Sequence, residues 1–188
     1  MEPRRSTRVF GGRCGGREVK RGLACYRALA LMAVLVTSGC YESDVPIDPE
    51  PRIGVDPALV GAWRCLPVDA DVDEEPATMV VKSDGARQYG VTWREGNKDP
   101  ERYRAYISTA RVSGLLNVQW LKEGTTDKTW VFVRYSLLRP DVLYLQVVSK
   151  DAVDDVEKSP TALRRTIERL RKNPSLYVDF CACVRARD

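Results

Sequence analysis

Six cysteines and no histidine bound the chemistry open to this 188-residue chain. Without His there is no imidazole base, no Ser-His-Asp triad and no His-ligated metal. Cys14 and Cys25 belong to a leader and Cys40 stands at its end, which leaves Cys65, Cys181 and Cys183 for the folded part. Three thiols, with Met79 as a fourth soft donor, could serve Cu(I). A single C-x-C with no C-x-x-C partner points instead to a disulfide plus a buried free thiol, so neither metal nor cofactor is expected. Asp69, Asp71 and Asp73 imitate the opening of a calcium-binding loop. Glu74 stands where that loop needs Gly, and Val80 where it needs a bidentate Glu. With Glu75 these acids are expected to form a solvated loop, with an acidic gate over a binding mouth as the alternative. Cys65 lacks an activating base and neither common Gly-rich phosphate motif is present, so the chain is not expected to be an enzyme.

The formal charge of +4 divides unevenly along the chain. Residues 1–39 hold eight Lys/Arg against Glu2 and Glu18, whereas residues 40–188 hold 22 Lys/Arg against 24 Asp/Glu. The basic character therefore belongs to the leader. A nucleic-acid partner would require a basic surface on the folded part, and none is expected.

The leader itself has an ordered pattern. Lys20, Arg21 and Arg27 precede an uncharged apolar run, Ala28 to Val36, which is too short to span a bilayer. Small residues and Cys40 follow it (Thr37-Ser38-Gly39-Cys40), the order of a secretion signal. A Cys directly after the small residues resembles the lipobox of bacterial lipoproteins, although Thr37 replaces the usual Leu, Val or Ile. That resemblance implies cleavage before Cys40 and acylation of Cys40, so that the membrane is a partner through lipid. Residues 1–18 are Gly-rich and patternless, and translation is expected to start at Val19. Residues 40–57 carry four Pro and five acids, and are expected to be a solvated tether.

The remaining domain, 58–188, is a succession of short strand patterns cut by turn signals. Strands are expected at Val60–Leu66, Ala77–Ser83, Arg87–Glu95, Tyr103–Val112, Leu115–Lys122, Thr129–Leu138, Val142–Val148 and Leu176–Arg185. Asp84-Gly85 and Ser113-Gly114 mark tight turns. Ser159-Pro160 opens one helix that sets Leu163, Ile167 and Leu170 on one face, with Arg164, Arg165, Glu168, Arg169 and Arg171 facing out. The fold class is mostly β: an eight-stranded antiparallel up-and-down barrel with one α-helix before the last strand.

Gly61-Ala62-Trp63 in the first strand resembles the G-x-W signature of lipocalins and calycins. The resemblance implies a barrel closed at one end by Trp63, with an Arg from a late strand, here Arg185, lying across the indole. Two features depart from that family: the helix precedes the last strand, and the usual T-D-Y/W motif is missing. In such a barrel the first and last strands are antiparallel neighbours, so facing residues share one index sum. Trp63 with Arg185 and Cys65 with Cys183 have the same sum. A Cys65–Cys183 disulfide is therefore expected at the seam, with a diagonal Cys65–Cys181 bridge as the alternative.

Two functions fit these features. In the first, the barrel holds a small apolar or amphipathic ligand, and Tyr89, Trp93, Trp120, Trp130, Phe132 and Tyr144 fill or line its lumen. In the second, the domain is a non-enzymatic protein-binding module at the cell envelope, an inhibitor or assembly subunit. Tyr41, rather than Asp, follows Cys40; by resemblance to lipoproteins of enteric Gram-negative bacteria this implies the periplasmic side of the outer membrane.

Overall fold

A computed structural model describes residues 40–70, 73–121, 129–153 and 159–187. Residues 1–39, where the leader is expected, and Asp71 of the acidic loop lie outside these residues, and no helix among the described residues is long and apolar enough to cross a membrane.

A two-residue strand β1 (Glu42–Ser43) is followed by β2 (Gly61–Pro67), β3 (Ala77–Ser83), β4 (Tyr89–Arg94), β5 (Glu101–Ile107), β6 (Leu115–Trp120), β7 (Trp130–Arg139) and β8 (Val142–Val148). Helix α1 (Pro160–Leu170) then precedes β9 (Tyr177–Arg185). Strands β2 to β9 pair antiparallel with their neighbours in sequence, and β9 returns to β2, which closes an eight-stranded barrel. Among the described residues, closure leaves no long unpaired edge for another chain to extend. The Ser113-Gly114 turn is tight enough that a Cβ at Gly114, whose φ is 70°, would stand 2.2 Å from the Tyr135 carbonyl oxygen. Only glycine fits there.

Period-two alternation gives the sheet two apolar faces. Ala105, Leu116 and Val133 point into the barrel, while their neighbours Tyr106, Leu115 and Phe132 point outward into a second core. That outer core is covered by Leu163 and Ile167 of α1, by Leu176, and by Tyr41 and Ile47. Ser159 caps the helix by accepting from the Ala162 N–H, with Pro160 at the first helical position.

Three expectations need correction here. Residues 41–48 are not a solvated tether but a strap. Tyr41, Ile47 and Asp48 are almost fully buried, and β1 pairs with Trp130 and Val131 of β7, beyond the point where β8 leaves it. The apolar side chains at 41, 45 and 47 pack into the outer core, although the Pro and acid content of the segment suggested solvation. Asp48 is the latch. Its carboxylate accepts from the Ser108 and Thr109 hydroxyls, the Thr109 N–H, the Asn117 amide and the Arg164 guanidinium. Asn117 in turn accepts from the Ile47 N–H at 2.8 Å. Arg164 is thus turned inward to Asp48 rather than standing on a solvated helix face. The same latch explains why β5 ends at Ile107: Ser108 and Thr109 turn to meet Asp48 instead of continuing to Val112.

Candidate functional site

One end of the barrel is sealed by backbone and side chain together. Trp63 is fully buried and donates from Nε1 to the Leu59 carbonyl at 2.9 Å. Arg185, paired with Trp63 across the β2–β9 seam, lays its guanidinium 4.3 Å from the indole centroid. It also donates to the carbonyls of Val60 at 2.9 Å and Ala58 at 2.7 Å, the turn that leads into β2. This explains the glycine before the tryptophan. Gly61 has φ 140°, and a Cβ there would meet Arg185 Nη1 at 2.5 Å. The expected pair of Trp63 and Arg185 is present.

Two residues along the same seam, Cys65 faces Cys183 and the two form a disulfide. The alternative Cys65–Cys181 bridge is not the one formed. Cys181 keeps a buried thiol whose Sγ lies 3.6 Å from that of Cys183, and burial pushes it up to about 12. The three sulfurs cluster within 4.8 Å, but the bridge consumes two of them, so they are not a thiolate set for a soft metal.

Above the seal the barrel is open. A cavity of about 350 Å³ runs from a floor at Leu59, Tyr89 and Tyr135 to a mouth at Trp93, Glu95, Glu101, Tyr103 and Trp120. Its walls are apolar: Met79, Val81, Val91, Leu116, Val118, Val133 and Leu145 among others. The polar groups of the floor satisfy one another. Tyr89 Oη accepts from the Asp56 N–H at 2.5 Å, and Tyr135 Oη donates to the Asp56 carboxylate at 3.3 Å. Burial, then the Asp56 charge, pushes Tyr135 up to about 12, so it remains a donor at neutral pH.

The mouth combines carboxylates with aromatic rings. Glu101 accepts from the Tyr103 hydroxyl at 2.5 Å, and Glu95 accepts from Trp93 Nε1 at 3.2 Å and from the exposed Lys98 at 2.8 Å. Burial, then Glu101, raises the Tyr103 phenol. Cys40 and Glu42 border the same opening. The acidic loop between β2 and β3 ends nearby, with Glu75 3.5 Å from where a Cβ at Gly96 would lie. None of its described acids lines the lumen; Glu42, Glu95 and Glu101 do.

Of the six aromatic residues expected at the lumen, Tyr89, Trp93 and Trp120 line it and Trp130, Phe132 and Tyr144 do not. Val131, Val133 and Tyr135 are the inward set of β7, which turns Trp130 and Phe132 into the outer core. On β8, Leu143 and Leu145 are inward, and Tyr144 between them faces away from the lumen. Strand alternation also carries the signal for two residues overlooked in the sequence: Tyr103 is in phase with Ala105, and Tyr135 with Val133. Phe180 carried no such signal. It falls at a register shift between β8 and β9, where it has no β8 partner, and it reaches the mouth to lie against Trp93 at 5.7 Å between centroids.

The closed antiparallel barrel, sealed by Trp63 under Arg185, is lipocalin-like in architecture. Comparison with family models, curated proteins and solved structures finds no match to this chain, so the likeness rests on topology and on that residue pair.

Proposed function

We propose that this protein is a lipid-anchored envelope lipoprotein whose barrel binds a small apolar or amphipathic molecule in its lumen. The observation that carries the reading is the cavity of about 350 Å³, closed below, open above and walled by apolar side chains. That volume lies at the lower end of the roughly 300–1,000 Å³ typical of small-molecule pockets. Acylation of Cys40 is supported by the lipobox resemblance and by the exposure of Cys40. Because residues 41–48 are docked, an acyl group at Cys40 holds the mouth against the bilayer with little slack. Exposed Val68, Trp120, Leu121 and Phe180 lie at that same end and suit an interface. Tyr41 after Cys40 favours the periplasmic side of the outer membrane.

Two experiments test this. Cells fed an alkyne-tagged fatty acid should label the protein, and Cys40→Ser should abolish the label; equal labelling of the variant refutes the anchor. A neutral lipophilic dye should bind the purified protein and be displaced by cell lipid extract. Val118→Trp, which fills the lumen from its wall, should abolish dye binding without unfolding the domain. Undiminished binding by that folded variant refutes the lumen as the site.

A further inference from the structure

Resting on the lumen reading above, the geometry points to the class of ligand: we infer that the lumen selects a single-chain amphiphile with a cationic head. The tail lies in the apolar barrel, and the head sits at the mouth between Glu42, Glu95 and Glu101 and the rings of Trp93, Tyr103 and Trp120.

Orientation comes first. The floor is occupied by groups already engaged with one another, Tyr89 and Tyr135 with Asp56, so a polar head gains nothing by descending. The walls between floor and mouth offer an apolar tail the removal of its surface from water. A polar head therefore stays at the mouth. The volume of about 350 Å³ suits one chain better than two.

Charge then selects among heads. The described residues that line the cavity include three glutamates, all at the mouth, and no Lys or Arg. A carboxylate, sulfate or phosphate head would sit beside like charge with no counter-charge among the described lining residues. Lys98 offsets part of Glu95, but it stands in solvent, 76% exposed, and does not line the opening. A cationic head meets both the carboxylates and the electron-rich faces of the aromatic rings, which attract ammonium groups. An alkylamine or quaternary ammonium is the chemistry that satisfies both.

The test compares heads on one tail. Purified full-length protein is loaded with the neutral dye N-phenylnaphthylamine and titrated with dodecyltrimethylammonium, dodecyl sulfate and dodecanol, each below its micelle threshold. The cation should displace the dye at concentrations lower than the anion by on the order of tenfold. Replacing Glu95→Gln and Glu101→Gln together should bring that ratio near one and leave dodecanol unchanged. An anion that competes as well as the cation overturns the charge selection while the lumen reading stands. Dye that fails to bind, or that no amphiphile displaces, overturns both. Charge preference that persists in folded Val118→Trp places the binding outside the lumen and also overturns the inference.

Discussion

The inner and outer faces of this one sheet bury similar kinds of side chain to opposite ends. On the outer face, Trp130, Phe132, Leu115 and Tyr106 meet Leu163 and Ile167 of the helix and Tyr41 and Ile47 of the strap, and the space is filled. On the inner face, smaller residues such as Val91, Val118 and Val133 surround an unfilled cavity. Trp130 and Phe132 of β7 stand outside, where packing consumes them, and Val131 and Val133 beside them are inward. The outer core is thus filled, whereas the inner face packs tightly only around the Trp63 seal and leaves the lumen above it open as a site.

The sharpest way to break this comparison is to truncate one residue on each face. Phe132 is fully buried and contacts Tyr41, with ring centroids 6.1 Å apart. Phe132→Ala leaves a hole in a packed core and should cost about 3–5 kcal/mol. Val118→Ala enlarges a cavity that already exists and should cost only about 1 kcal/mol. Urea denaturation of both variants reads the difference, and equal losses would mean that the lumen is packed as tightly as the outer core.

Acid should act through the outer face. Burial alone would raise the Asp48 carboxyl, but the hydrogen bonds from Ser108 and Thr109, with the Arg164 guanidinium, outweigh it and hold the group below its usual range. A depressed folded value means that the latch contributes its full stability above the unfolded Asp value of about 3.9, and loses it as pH falls through the folded value. Glu95 is also held low, by Lys98 and Trp93, but this exposed pair contributes little. Denaturation midpoints measured from neutral to acid pH should fall most steeply below about pH 4. Asp48→Asn should be less stable at neutral pH and flatter in that window. A variant that retains the native acid slope would show that the strap is held by Tyr41 and Ile47 alone.

The inner face was more legible in the sequence than the outer. Alternation sets Tyr89, Val91 and Trp93 on one face of their strand and Leu116, Val118 and Trp120 on one face of theirs, and both faces line the lumen. The seam was legible because Trp63, Cys65, Cys183 and Arg185 must fall in one register if the barrel closes. Trp130, Phe132 and Tyr144 were misplaced because residue size says nothing about which face a residue occupies. The strap was missed for a different reason. Its docking depends on Asp48 meeting Ser108, Asn117 and Arg164, partners from 60 to 116 residues away, and no local pattern carries such pairing.

The smallest effect is expected at Cys181, where the inner face is most tightly closed. Its thiol lies 3.6 Å from Cys183 Sγ and within 4.8 Å of Cys65 Sγ, and attack of its thiolate on Cys65 Sγ would release Cys183 as the thiolate and move the disulfide to Cys65–Cys181. Exchange needs the thiolate. With burial pushing the group up to about 12, the thiolate fraction at neutral pH is on the order of one in a hundred thousand. Native protein at pH 7 should therefore resist iodoacetamide at Cys181, and peptide mapping without reduction should recover the Cys65–Cys183 bridge alone. Raising the pH, or adding guanidinium, should start alkylation and exchange together. Cys181→Ala should leave the bridge in place and change stability by less than about 1 kcal/mol, since a small side chain is replaced by another small one. Native protein that yields a mixture of the two bridges at pH 7 would mean that the seam opens more readily than its burial implies.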